Sequence, residues 1–155
     1  MKKILISLLI VLVLTGGTLW FAHNMSGTEM DCRATFEKNT AANLVVRGGI
    51  TLHFFRDHTG VASMSGKIIT TEGVYTLNRE AVFNYERIDG QKGVYRINKT
   101  NFRILSRDTI PARYSNDIDM NTESQSSDYI IIRKINKNTL LFSSPAAPMM
   151  ICVME

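Results

Sequence analysis

The chain has 155 residues, 18 Lys and Arg against 14 Asp and Glu, and two cysteines. Lys2 and Lys3 stand ahead of an apolar run, so the rest of the chain holds 16 basic against 14 acidic residues, and Arg47, Arg56, Arg79, Arg87, Arg96, Arg103 and Arg133 are scattered through it. This excludes direct nucleic-acid binding driven by net charge, and it leaves residues 25–155 as one ordinary domain with enough chain for a core.

Ile4 to Ala22 is an uncharged run of 19 residues. As a helix it is about 28 Å long, close to the ~30 Å hydrocarbon core of a bilayer. Trp20 suits a helix end at the lipid interface, and the two lysines place the N-terminus inside. A cleaved signal peptide ends in small residues after a shorter apolar region. Here Gly16 and Gly17 lie within the run, which resumes with Leu19, Trp20 and Phe21. Thr18 stands where a lipoprotein would need cysteine, and the first cysteine is Cys32. Residues 1–24 are therefore expected to form a cytoplasmic tail and an uncut transmembrane signal anchor, with processing near Gly16-Gly17 as the alternative. Residues 25–155 then form a periplasmic β-rich domain of a single-pass inner-membrane protein.

In such an oxidising compartment Cys32 and Cys152 are expected to be bonded, tying the first strand to the last; two free thiols are the alternative. Residues 31–46 are ambiguous between strand and short helix. "GITLHFFRDHTG" puts Ile50, Leu52 and Phe54 on one face and a turn at Asp57 to Gly60, and "VASMSGKIITT" is its hairpin partner. "GVYTLNRE" and "AVFNYERIDG" follow, with Phe83, Tyr85 and Arg87 on one face and Val82, Asn84, Glu86 and Ile88 on the other. "IDGQKG" is a strong turn. "VYRINKTNFRILSRD" supplies one long strand or two short ones. Alternation fails from Thr109 to Asp128, a long polar loop with room for one helical turn. "YIIIRKINKNTLLFSS" is a hairpin turning at Asn136 to Asn138, and "PMMICV" is a final apolar strand. Seven or eight strands define a mainly antiparallel β domain, a curled sheet or small barrel, with at most one short helix packed against it.

Catalytic chemistry has little to work with. His53 and His58 are the only histidines beyond the anchor region, and no cysteine or histidine is left to complete a metal site with them. "SMSG" at 63–66 lies in a strand and not at a strand-to-helix elbow, "RGG" at 47–49 is a strand entry, and no phosphate-cradling loop occurs. The expectation is a non-enzyme without metal or cofactor. Phe54, Phe83, Tyr85, Tyr95 and Phe102 would line either an ordinary core or a pocket for an apolar ligand. His53, in an otherwise apolar strand, is either a satisfied structural histidine or a sensor of acid.

The basic tail and anchor, the cysteine of "DCRATF", the strand pair around "GVASMSGKI", the "YTLNREAVFNYE" segment with Tyr75, Arg79, Phe83 and Tyr85, the later "YRI" and the closing "PMMICV" together resemble the FidL-like family of small enterobacterial membrane proteins. The resemblance implies an accessory protein for a transmembrane transcription regulator of the ToxR type, in the manner of the ToxS, TcpH and MyfF proteins. Its exported domain would associate with that of the regulator, protecting it or completing a ligand-binding barrel; no catalytic residues carry over. The expected partner is a single-pass regulator with a cytoplasmic DNA-binding domain, met through a sheet edge at "VYRINKTNFRIL" or "YIIIRKI". Two other classes compete: a periplasmic binding module for a bile salt or lipid, and an envelope or fimbrial assembly factor.

Overall fold

Apolar residues at every second position, as in Leu52 and Phe54 or Ala81, Phe83 and Tyr85, give each strand one face to bury. The computed structural model describes residues 11–18, 28–39, 44–115, 123–124 and 128–154. Their strands are β1 (Thr28–Asn39), β2 (Val45–Phe55), β3 (Thr59–Ile69), β4 (Val74–Asp89), β5 (Val94–Ile104), β6 (Glu123–Ser124), β7 (Asp128–Asn136), β8 (Thr139–Ser143) and β9 (Pro148–Met154). A single helical turn spans Ala112–Ser115.

Every pairing is antiparallel, and each long strand joins its neighbours in chain order. β9 returns to β1, and β4 pairs with β5, so the sheet closes on itself. The result is an up-and-down barrel of eight strands with the two-residue β6 beside the far half of β5. The small barrel is the architecture obtained. The ambiguous segment becomes β1 through Asn39, and "VYRINKTNFRI" is one strand.

Phe54 is the hub of the interior. Its ring meets Phe83 and Tyr85 edge-on, at centroid distances of 5.3 and 5.1 Å, with Phe142 at 6.3 Å and Tyr95 at 6.4 Å. The "RGG" segment lies inside β2 and not at its entry, because Gly48 is needed opposite Gly66 of β3. A Cβ on Gly66 would overlap the carbonyl oxygen of Arg47, and one on Gly48 that of Ser65, so the two backbones approach closely at this point.

Arg79 departs from the expectation of a solvated basic residue. It occupies an inward position of β4 between Leu77 and Ala81 and is buried. Its charge is met by Asp108, which the chain delivers by folding back along the start of β4. Leu105 and Thr109 donate backbone hydrogen bonds to the carbonyls of Asn78 and Thr76. Asp108 accepts from the backbone N–H groups of Asn78 and Ile110. Tyr114, on the helical turn, then packs against Tyr75 with the rings tilted and their centroids 5.8 Å apart. The beginning of the polar loop is therefore a latch over one end of the barrel.

Candidate functional site: the barrel seam

Closure depends on β1 and β9, the strands farthest apart in sequence. Cys32 and Cys152 are disulfide-bonded across this seam and wholly buried. Ladder pairing there covers only Cys32 opposite Met154 and Arg33 opposite Val153. Among the described residues, positions 34–39 of β1 and 148–152 of β9 have no ladder partner on that side. The seam is thus a crosslinked junction bordered by two lengths of open strand edge.

Open edges carry unpaired N–H and C=O groups that can take up another strand. On β9 the outward side chains are apolar as well: Met149, Ile151 and Val153 are 60, 58 and 52% exposed. The candidate edges expected from sequence are β5 and β7, whose shared ladder covers residues 94–97 and 128–131. β5 lies between β4 and β7, and β7 between β5 and β8, so both are interior strands. Alternation looks the same in interior and edge strands; only the closing register separates them.

The end of the barrel where β1 begins holds the polar cluster. Tyr85 reaches from β4 so that its hydroxyl lies 2.6 Å from the Phe55 carbonyl and 2.9 Å from Glu29 Oε2. Burial and the neighbouring Glu29 carboxylate push the Tyr85 phenol well above its ordinary range. Arg87 pairs with Glu29 and lies 5.6 Å over the Tyr95 ring. A cavity of about 200 Å³ opens among Glu29, Met30, Phe54, Tyr85, Tyr95 and Met154.

The other residues singled out from sequence fall around this frame. Phe54, Phe83 and Tyr85 are buried in the core, with Tyr95 and Phe102 packed against it. A second cavity of about 130 Å³, bordered by Phe54, Phe83, Ile97, Phe142 and Met150, is wholly apolar. Both are smaller than the ~300–1,000 Å³ of common ligand sites. His53 is outside the barrel wall, opposite Asp31, with Nδ1 3.2 Å from the carboxylate and its ring stacked near Phe55. His58 sits in the β2–β3 turn with φ 65°, its ring against Tyr85. Among the described residues no three His, Cys, Asp or Glu side chains come together to hold a metal ion.

Residues 11–18 of the apolar run are helical. Among the described residues no helix is long and apolar enough to cross a membrane; the rest of the expected anchor lies outside them.

The described strands form a disulfide-closed antiparallel barrel. The model of one family, described as "FidL-like putative membrane protein", matches residues 66–152, from β3 through the second cysteine. The chain belongs to this FidL-like family. No curated protein matches it.

Proposed function

We propose that this protein is a non-enzymatic accessory subunit, held at the inner membrane by its N-terminal segment, whose periplasmic barrel binds and stabilises or modulates a single-pass transcription regulator. The observation that carries the reading is the seam: a covalently tied barrel in which, among the described residues, positions 148–152 of β9 have no ladder partner on the β1 side. Main-chain bonding along such an edge supplies affinity, and side chains facing Met149, Ile151 and Val153 supply selection. Small internal cavities favour a protein partner over a bile salt or lipid.

Anchoring is supported by the run itself. Val11 to Leu14 are exposed on the described helix, and the Thr15 and Thr18 hydroxyls donate back to the carbonyls of Val11 and Thr15. Satisfying side-chain hydroxyls within the helix is what a lipid environment requires.

The test is gentle-detergent purification of the tagged full chain from native membranes, with a photo-crosslinker at Ile151 and mass spectrometry of the adduct. A regulator carrying a cytoplasmic DNA-binding domain, crosslinked near one-to-one through position 151 and no longer co-purified with an Ile151→Asp chain that lacks the crosslinker, is the expected result. A protein that arrives alone, or with pilus or outer-membrane clients, overturns the reading.

A further inference from the structure

Among the described residues, the barrel end at which β1 starts has a surplus of cations. The registers bring Thr28 beside Phe55, Asp89 beside Val94 and Asn136 beside Thr139, so the β2–β3, β4–β5 and β7–β8 turns all lie at this end. The carboxylates of Glu29, Asp57 and Asp89 are engaged locally. Glu29 pairs with Arg87; Asp89 accepts from the Gln91 and Lys92 backbones and stands 3.6 Å from Lys92 Nζ; Asp57 accepts from Thr59. Arg133, Lys134 and Lys137, close together on the β7–β8 hairpin, are exposed and have no ion-pair partner among the described residues.

These charges frame apolar surface. A shallow groove of about 460 Å³ runs between the β4–β5 turn and β7, with Val94 and Ile131 between Lys92, Arg133 and Lys134. Ile88 and Ile135 are exposed at the same end, by 47 and 55%. Cations ringed around exposed apolar side chains suit the boundary between lipid phosphates and acyl chains.

Chain order supplies the occupant. The apolar run ends at Ala22 and β1 begins at Thr28, a separation that fully extended chain cannot stretch beyond about 20 Å. We infer that this end of the barrel rests on the membrane and binds the phosphates of anionic lipids through Arg133, Lys134 and Lys137. The inference rests on the anchoring half of the proposed function and is independent of the regulator. It gives the barrel an orientation, with the Arg79 latch turned away from the bilayer.

The test uses the full chain reconstituted in phosphatidylcholine vesicles with and without phosphatidylglycerol, read by hydrogen exchange. Each basic residue at an anionic surface raises partitioning about fivefold. Amides of the β4–β5 and β7–β8 turns should therefore exchange several-fold more slowly when phosphatidylglycerol is present, with β2 and β3 unchanged. The difference should disappear in high salt and in a variant combining Arg133→Glu, Lys134→Glu and Lys137→Glu. Equal exchange in both lipids, or a difference that survives high salt, overturns the inference. Should the triple variant fail to fold, the salt response of the unaltered chain still decides. Alkaline carbonate extraction of the same vesicles reports anchoring separately: a chain released by carbonate refutes the anchor, whereas a retained chain with lipid-independent exchange refutes only the headgroup contact.

Discussion

Arg79 Nε lies 3.2 Å from Asp108 Oδ2, and both side chains are only 2% exposed. This ion pair holds the latch to the inside of β4, and neither charge has bulk water to fall back on. Breaking a buried pair by removing one partner costs about 3–5 kcal/mol, chiefly because the other charge is left uncompensated. Asp108→Ala should lower the unfolding free energy by that amount, read as a lower urea midpoint at unchanged slope. Arg79→Met combined with Asp108→Leu should recover most of the loss; a double variant as unstable as Asp108→Ala would mean that the latch is held by its backbone bonds instead.

The crosslink of Cys32 to Cys152 spans a sequence separation of 120. In the chain-entropy treatment, a loop of that size contributes about 4–5 kcal/mol. Replacing both cysteines by serine should remove a stabilisation of this order. Because the seam has so little ladder pairing, amides of β1 and β9 should lose exchange protection before those of β3 and β4. Uniform loss around the barrel would show that the seam is no weaker than the rest.

Tyr85 sets an alkaline limit. Its phenol is raised above the ordinary value of 10.0 by burial and by Glu29. A group with a raised folded value favours the folded state fully below its unfolded value, and that contribution is lost as pH rises toward the folded one. Stability should therefore hold up to about pH 10 and fall above it. Tyr85→Phe should flatten this limb, as measured by denaturant midpoints through the alkaline range. An unchanged slope would assign the limb to other groups.

Gly66 meets Gly48 across β2 and β3 with no room for a side chain on either. Overpacking in a filled interior costs about 1–3 kcal/mol, and here the obstacle is backbone. Gly66→Ala should reach the upper part of that range in thermal or urea unfolding, whereas Gly49→Ala, where a Cβ makes only ordinary contact, should cost far less.

Much of this fold was legible because strand alternation is a local property. The faces assigned to Ile50, Leu52 and Phe54 and to Phe83, Tyr85 and Arg87 follow directly from period two, and the Asn136 to Asn138 turn from its residues. Closure was not local. Nothing within "PMMICV" distinguishes an edge from an interior strand, so β9 was not among the candidate edges, and whether β5 and β7 were edges or interior strands stayed open. Arg79 escaped for a related reason: its inward position was readable from Leu77 and Ala81, but the carboxylate that permits its burial comes from a loop without periodicity. The two cysteines were the one long-range signal, since oxidising surroundings join residues that spacing alone cannot.

Because the crosslink joins the first strand to the last, the barrel cannot be finished until residue 152 has been delivered to its partner at residue 32. A chain shortened before that point could still form the consecutive hairpins, yet it would keep a reactive thiol and two long raw edges. Thiol exchange and adventitious strand pairing both act on such features. Completion of the barrel is thereby tied to one bond, and a free thiol at residue 32 marks a chain that has not reached it.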